Sequence, residues 1–216
     1  MAAKRNCKAL LANSPDPVTA WAQAVVSGEV IQGPWVRAAA QRHLNDLKEG
    51  PKRGLFWDLD CALKKIAFFE QVLCLNGGQF EGKPFRLHPS QAFRIGSLFG
   101  WKKADGTRRF RRFYDEEGKG NGKTPLLAGI GLLGLLADDE PRAEIYAAGA
   151  KKDQAMVMFR DAVAMVDLSP MLSERLRKSG GTPVWNIGDA ETGSFFRPLS
   201  SDDSQSGPRP HMALCD

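Results

Sequence analysis

Apolar residues recur at helical spacing through roughly the first eighty positions, then give way to short apolar runs punctuated by glycine and proline. Thr19 is placed to cap a short helix with Trp21, Ala24 and Val25 on one side. Pro34 opens a second helix over 34–47, which Gly50-Pro51 closes, with Arg37, Arg42, His43 and Lys48 on its outer surface. Leu59, Leu63, Ile66, Ala67, Phe69, Val72 and Leu73 repeat near 3.6 residues, which predicts a third helix over 58–75, stopped by Gly77-Gly78. Gln91 follows a turn at Pro89 and opens an amphipathic segment holding Phe93, Ile95, Leu98 and Phe99.

Beyond residue 100 the pattern changes period. Phe110, Phe113 and Tyr114 suit a strand over 109–116, although Asp115-Glu116-Glu117 is unlike a buried parallel strand. A long apolar run follows, read as a helix over 124–136 with Pro125 in its first turn, where a missing N–H is tolerated. Gly129, Gly131 and Gly134 each cost this helix roughly 1 kcal/mol relative to alanine, so it is expected to press closely on a sheet. A strand over 144–148, a helix over 151–166 and a short helix over 172–176 come next. Strands over 184–187 and 194–199, a polar loop over 200–210 and a last strand over 212–216 complete the order.

Composition narrows the class. An apolar content of 43% supports a true core, and the net charge of +5 permits an anionic partner without requiring one. The basic bias is local: Lys102 and Lys103 precede Arg108, Arg109, Arg111 and Arg112. Such a cluster fits a solvated face or a nucleic-acid contact. Cys7, Cys61, Cys74 and Cys215 lack metal-site spacing and read as reduced, structural thiols of an intracellular protein. No signal peptide is apparent, and the apolar run over 125–137 is too short to span a bilayer.

The chemistry is concentrated in Gly118-Lys119-Gly120-Asn121-Gly122-Lys123-Thr124, placed just before the glycine-bearing helix. Glycines let backbone N–H groups turn toward an anion, and a helix N-terminus adds its own. In such a loop Lys123 reaches the outer phosphates of a nucleotide and the Thr124 hydroxyl serves Mg²⁺. The spacing deviates from the common pattern, since Glu117 stands where a first glycine is usual. Gln91 can pair with an adenine edge through its amide. Asp216, at the end of an apolar strand, suits Mg²⁺ beside Thr124. Loop and element order predict an α/β fold of the P-loop NTPase type: a parallel-rich sheet with helices on both faces, after a helical N-terminal layer. Residues 1–80 are expected to form the lead-in, and 81–216 the P-loop domain.

Taken together, these stretches resemble the ATPase domain of phage terminase large subunits of the HK97-like branch. The resemblance rests on Pro89-Ser90-Gln91 through Gly100-Trp101, Arg108 to Arg112, Lys119 to Thr124, Tyr146-Ala147-Ala148 and Lys152 to Ala155. Phe196 to Ser200 and Pro210-His211 through Asp216 extend it. It implies that Gln91 reads adenine, and that Lys119, Gly120, Asn121, Gly122, Lys123 and Thr124 hold ATP. Thr124 and Asp216 position Mg²⁺, and an arginine, Arg197 or Arg209, completes a neighbouring subunit's site. Lys119 replaces an arginine usual in the family, keeping charge but losing the guanidinium fork. Gly118, Gly120 and the acidic approach to the loop also depart from the pattern. The implied partners are double-stranded DNA, a portal protein, a terminase small subunit and further copies of the chain, in the host cytoplasm and without a membrane. In the family an acidic residue that activates water follows the position of Asp216, and a nuclease domain comes later. The chain as written stops before both, so the resemblance implies a truncated motor of weak or absent turnover, with 212–216 as a late central strand. The alternatives are a catalytically inert nucleotide-binding or assembly module, or a fragment of another P-loop DNA translocase.

Overall fold

A computed structural model describes residues 14–200 and 207–216. The readings of Cys7, of the rest of the first thirteen residues and of 201–206 lie outside them. The chain forms two units: Met1–Ala67 with Arg86–Asp115, and Phe68–Phe85 with Glu116–Asp216.

The first unit is a helical layer on a two-stranded ribbon. Helix α1 (Pro17–Ser27) is capped by Asp16 rather than Thr19. The Asp16 carboxylate accepts from the Thr19 backbone N–H at 2.9 Å and from its hydroxyl at 2.6 Å, so the better acceptor three residues upstream takes the cap. Helix α2 (Pro34–Glu49) follows, then strand β1 (Leu55–Trp57) and helix α3 (Leu59–Val72), whose last residues belong to the second unit. Helix α4 (Pro89–Gly100) runs directly into strand β2 (Trp101–Lys103), which pairs antiparallel with β1.

His43, expected on the surface, is 2% exposed. One turn from Ala40 and Asp46, it shares their inward face of α2. Its ring bonds the Thr19 hydroxyl at 2.9 Å and accepts from the Trp101 indole at 3.0 Å. It also meets Trp57, Phe93 and Trp101 edge-on. Burial in this aromatic box lowers its pKa to about 4. The strand expected over 109–116 does not form. Arg109 turns back to Asp46 and Arg94 pairs with Asp115, so side-chain charges fix this segment in place of a backbone ladder. Tyr114 is left 85% exposed.

In the second unit, α5 (Lys123–Leu136), β3 (Glu144–Gly149), α6 (Lys152–Leu168) and α7 (Pro170–Arg175) lead to β4 (Leu176–Ser179). Strands β5 (Asn186–Asp189), β6 (Ser194–Ser200) and β7 (Met212–Cys215) follow. Their order in the sheet is β4-β5-β6-β3-β7. The β6, β3 and β7 strands are parallel, and the β4-β5-β6 side is an antiparallel meander whose first strand the sequence reading missed. The sheet is therefore mixed, with flanking helices.

Both long helices lie on one face, not on two. A Cβ at Gly131 of α5 would stand 2.5 Å from the Phe196 ring, and Phe159 of α6 meets that same ring edge-on at 5.3 Å. Alternation along the strands sends Tyr146, Phe195 and Arg197 to the opposite face. Among the described residues β7 is an edge strand rather than a central one, because β3 alone pairs with it. No helix of the described residues is long and apolar enough to cross a membrane.

Candidate nucleotide site

The loop over 118–122 opens α5 at the C-terminal end of the parallel strands, the edge at which α/β sheets bind their ligands. Gly120 (φ 87°) and Gly122 (φ 75°) both take left-handed backbone, which is what their position demands of the residue type. Gly122 caps α5 through its carbonyl, which accepts from Leu126 at 3.2 Å. The helix N-terminus presents its free N–H groups to the loop.

Lys123 folds back over this loop. Its ammonium donates to the carbonyls of Glu117 at 2.8 Å and Gly118 at 3.2 Å. Those carbonyls stand in for the anion such a lysine would meet, so the side chain already lies across the loop. Next to it, the Thr124 hydroxyl donates to Asp216 Oδ2 at 2.6 Å across 92 residues of sequence. This contact joins the first turn of α5 to the end of β7. Lys119, Gly120 and Asn121 are exposed on the loop, and among the described residues Lys119 has no hydrogen-bond partner.

Thr124 and Asp216 are two hard oxygen donors side by side. That donor set fits magnesium, which takes one or two protein oxygens and keeps several waters. No group of three or more histidine, cysteine or acidic side chains among the described residues forms a larger metal site. On α6, Asp161 accepts from the Asn76 amide at 2.9 Å. Burial raises its pKa; the Asn76 hydrogen bond opposes this, and the negative charge of Asp216 adds to it.

The remaining candidates have other partners. Gln91 belongs to the first unit, where it is the third residue of α4. Its Oε1 accepts from the His88 N–H at 2.9 Å in a capping box. Arg197 is not brought to the loop. Its Nε donates to Asn186 Oδ1 at 2.7 Å, and its guanidinium lies 4.1 Å from the centre of the Phe195 ring. Arg209 sits at the far end of β7, where its backbone N–H donates to Glu144 at 2.9 Å.

Two positions have a clear structural part that the sequence reading left unassigned. His211 Nε2 lies 2.7 Å from Asp138 Oδ2, tying the start of β7 to the residues just past α5. In the sequence His211 stands out only as part of a motif, and Asp138 not at all. Two polar residues that meet across 73 positions leave no mark on periodicity.

Comparison with known proteins identifies the family. A family model described as the terminase large subunit, ATPase domain, matches residues 89–216. The terminase large subunit of Enterobacteria phage HK97 is 32% identical over 110 residues, which are 50% of this chain and 21% of that protein. The crystal structure of the HK97 bacteriophage large terminase superposes with a TM-score of 0.58 at 27% identity, covering 71% of this chain and 30% of that one. The chain thus spans about a fifth of the curated relative it matches. The glycine loop, Thr124 and Asp216 fall within the residues that the family model covers, and this chain belongs to the terminase large subunit ATPase-domain family.

Proposed function

We propose that this chain binds ATP with Mg²⁺ through the 118–124 loop and serves as the nucleotide-binding part of a motor that moves duplex DNA into a viral capsid. The observation that carries the reading is the Thr124–Asp216 hydrogen bond beside a glycine loop whose lysine already spans it. Lys123 would leave the Glu117 and Gly118 carbonyls for the outer phosphates, and Lys119 would add charge from the exposed side. Gly120, Asn121 and Gly122 supply backbone N–H groups to the phosphates. Thr124 and Asp216 would hold Mg²⁺, which when bound neutralises phosphate charge. Reading adenine asks Gln91 to use its amide nitrogen, since its carbonyl oxygen serves the capping box. Neither Arg197 nor Arg209 is near this chain's own loop, so either would serve a nucleotide only from a neighbouring copy. Double-stranded DNA, a portal protein and a small terminase subunit are the partners that this membership suggests.

The test is Mg²⁺-dependent binding of a fluorescent ATP analogue, with phosphate release measured in parallel, on this chain and on Lys123→Ala. The expected result is saturable binding weakened at least tenfold in the variant. Equal binding by both proteins would remove the loop from the proposal. Binding without phosphate release would favour the inert nucleotide-binding module.

A further inference from the structure

The arginine-rich run over 108–112 does not act as one patch. Arg108 lies over the Phe99 ring, while Arg109 lies over Trp101 and Phe110. Asp46, whose side chain is 5% exposed, accepts Arg53 on Oδ1 and Arg109 on Oδ2. Both carboxylate oxygens are thereby engaged by guanidinium groups. A further guanidinium, that of Arg42, stands 5.0 Å from the centre of the Phe110 ring, which Arg109 approaches to 4.8 Å. Among the described residues Arg42 has neither an ion pair nor a hydrogen bond. Three guanidiniums thus gather around one saturated carboxylate, and the nearest other acid on α2, Glu49, is paired with Lys52 at 2.7 Å.

We propose that Arg42 and Arg109, held on the Phe110 ring, form a phosphate-binding seat on the first unit, one that takes a phosphodiester of duplex DNA or the phosphate of a small anion. Cation–π contact with the Phe110 ring holds the two guanidinium groups before a ligand arrives, so their forks lose little freedom on meeting a phosphate. Charge-assisted, bidentate geometry is what guanidinium offers to phosphate oxygens. Without an anion the seat is repulsive: burial lowers the Arg42 pKa and the neighbouring Arg109 lowers it further, with Asp46 opposing. An incoming phosphate relieves that repulsion. Arg111 and Arg112, exposed just beyond, extend the positive surface along a backbone longer than one phosphate.

The seat uses none of the nucleotide-site residues, and only its DNA arm rests on the function proposed above. The test compares wild type, Arg42→Gln, Arg42→Lys and Arg37→Gln in the full chain, with tryptophan fluorescence confirming that each is folded. Arg37→Gln removes the same charge from the same helix at an exposed position. Binding of a 20-bp duplex is measured from 50 to 200 mM salt, and inorganic phosphate binding by calorimetry. The expected result is a five- to tenfold loss of DNA affinity in Arg42→Gln, a log–log salt slope shallower by about 1, partial rescue in Arg42→Lys and less than twofold change in Arg37→Gln. Loss of phosphate binding with DNA affinity unchanged would assign the seat to a small anion. Equal losses in Arg42→Gln and Arg37→Gln would mean diffuse attraction and overturn the proposal, as would no loss of either ligand. Lys123→Ala should leave both ligands bound at the seat, so its failure to bind nucleotide is a separate result.

Discussion

His43 is neutral in the folded protein, boxed by three aromatic rings and bonded to Thr19 and Trp101. Its pKa is about 4 when folded and 6.5 when unfolded. Between those values the unfolded chain binds the proton and the folded chain does not. Stability from this residue is therefore full above pH 6.5 and falls as pH drops toward 4, by roughly 3 kcal/mol at most. Urea midpoints read by tryptophan fluorescence should decrease over that window, and His43→Gln should flatten the dependence. Tryptophan is the right probe because Trp21, Trp57 and Trp101 belong to the same unit. The glycines of α5 make a second residue-scale case. At Gly131 a methyl group would meet the Phe196 ring at 2.5 Å and Leu214 at 3.0 Å. At Gly134 it would meet the flexible thioether of Met212 at 2.6 Å. Gly131→Ala should cost about 1–3 kcal/mol despite its better helix propensity, and Gly134→Ala clearly less, both by chemical denaturation. The close approach of this helix to a sheet was legible from its glycines. The inward turn of His43 was not, since a lone histidine on an amphipathic helix carries no sign of the indole that will meet it.

At the scale of elements, α5 and β7 run antiparallel and meet at points from one end to the other. Thr124 meets Asp216, Gly131 faces Leu214, Gly134 faces Met212, and Asp138 meets His211. The polar contact at the far end, together with the ladder to β3, holds the strand whose last aspartate stands opposite Thr124. His211→Ala and Asp138→Asn should each weaken Mg²⁺-nucleotide binding about three- to tenfold. The double variant should lose little more than either single one, with a coupling of about 1 kcal/mol in a double-mutant cycle. Additive losses would separate the pair from the site. Helices over 34–49, 59–72 and 152–168 were legible because a 3.6-residue period survives in any environment. The segment over 109–116 misled for a physical reason. Its aromatic residues suit a strand, but its arginines and acids find partners on helices, which settles the backbone outside a ladder.

For the molecule as a whole, the residues of the candidate site stand out in the sequence and the assembly around them does not. Lys123, Thr124 and Asp216 were picked from spacing and resemblance, and the structure places the latter two 2.6 Å apart. Linear order gave no sign that residues 86–115 return to the first segment. That return is made by Phe93 against Trp21 and by Trp101 against His43 and Trp57, partners set far upstream.

The interleaving of the two units has a consequence for how the chain is made. Every residue of the first unit has left the ribosome once position 115 is out, while the second owns only 68–85 at that moment. Phe69 and Leu73, which later lie against Gly129, must wait with their apolar faces bare until α5 is synthesised. A nascent chain halted once position 115 has cleared the ribosomal tunnel should therefore protect Trp21 yet engage a chaperone through 68–85, and no single cut in the finished protein can part the two units cleanly.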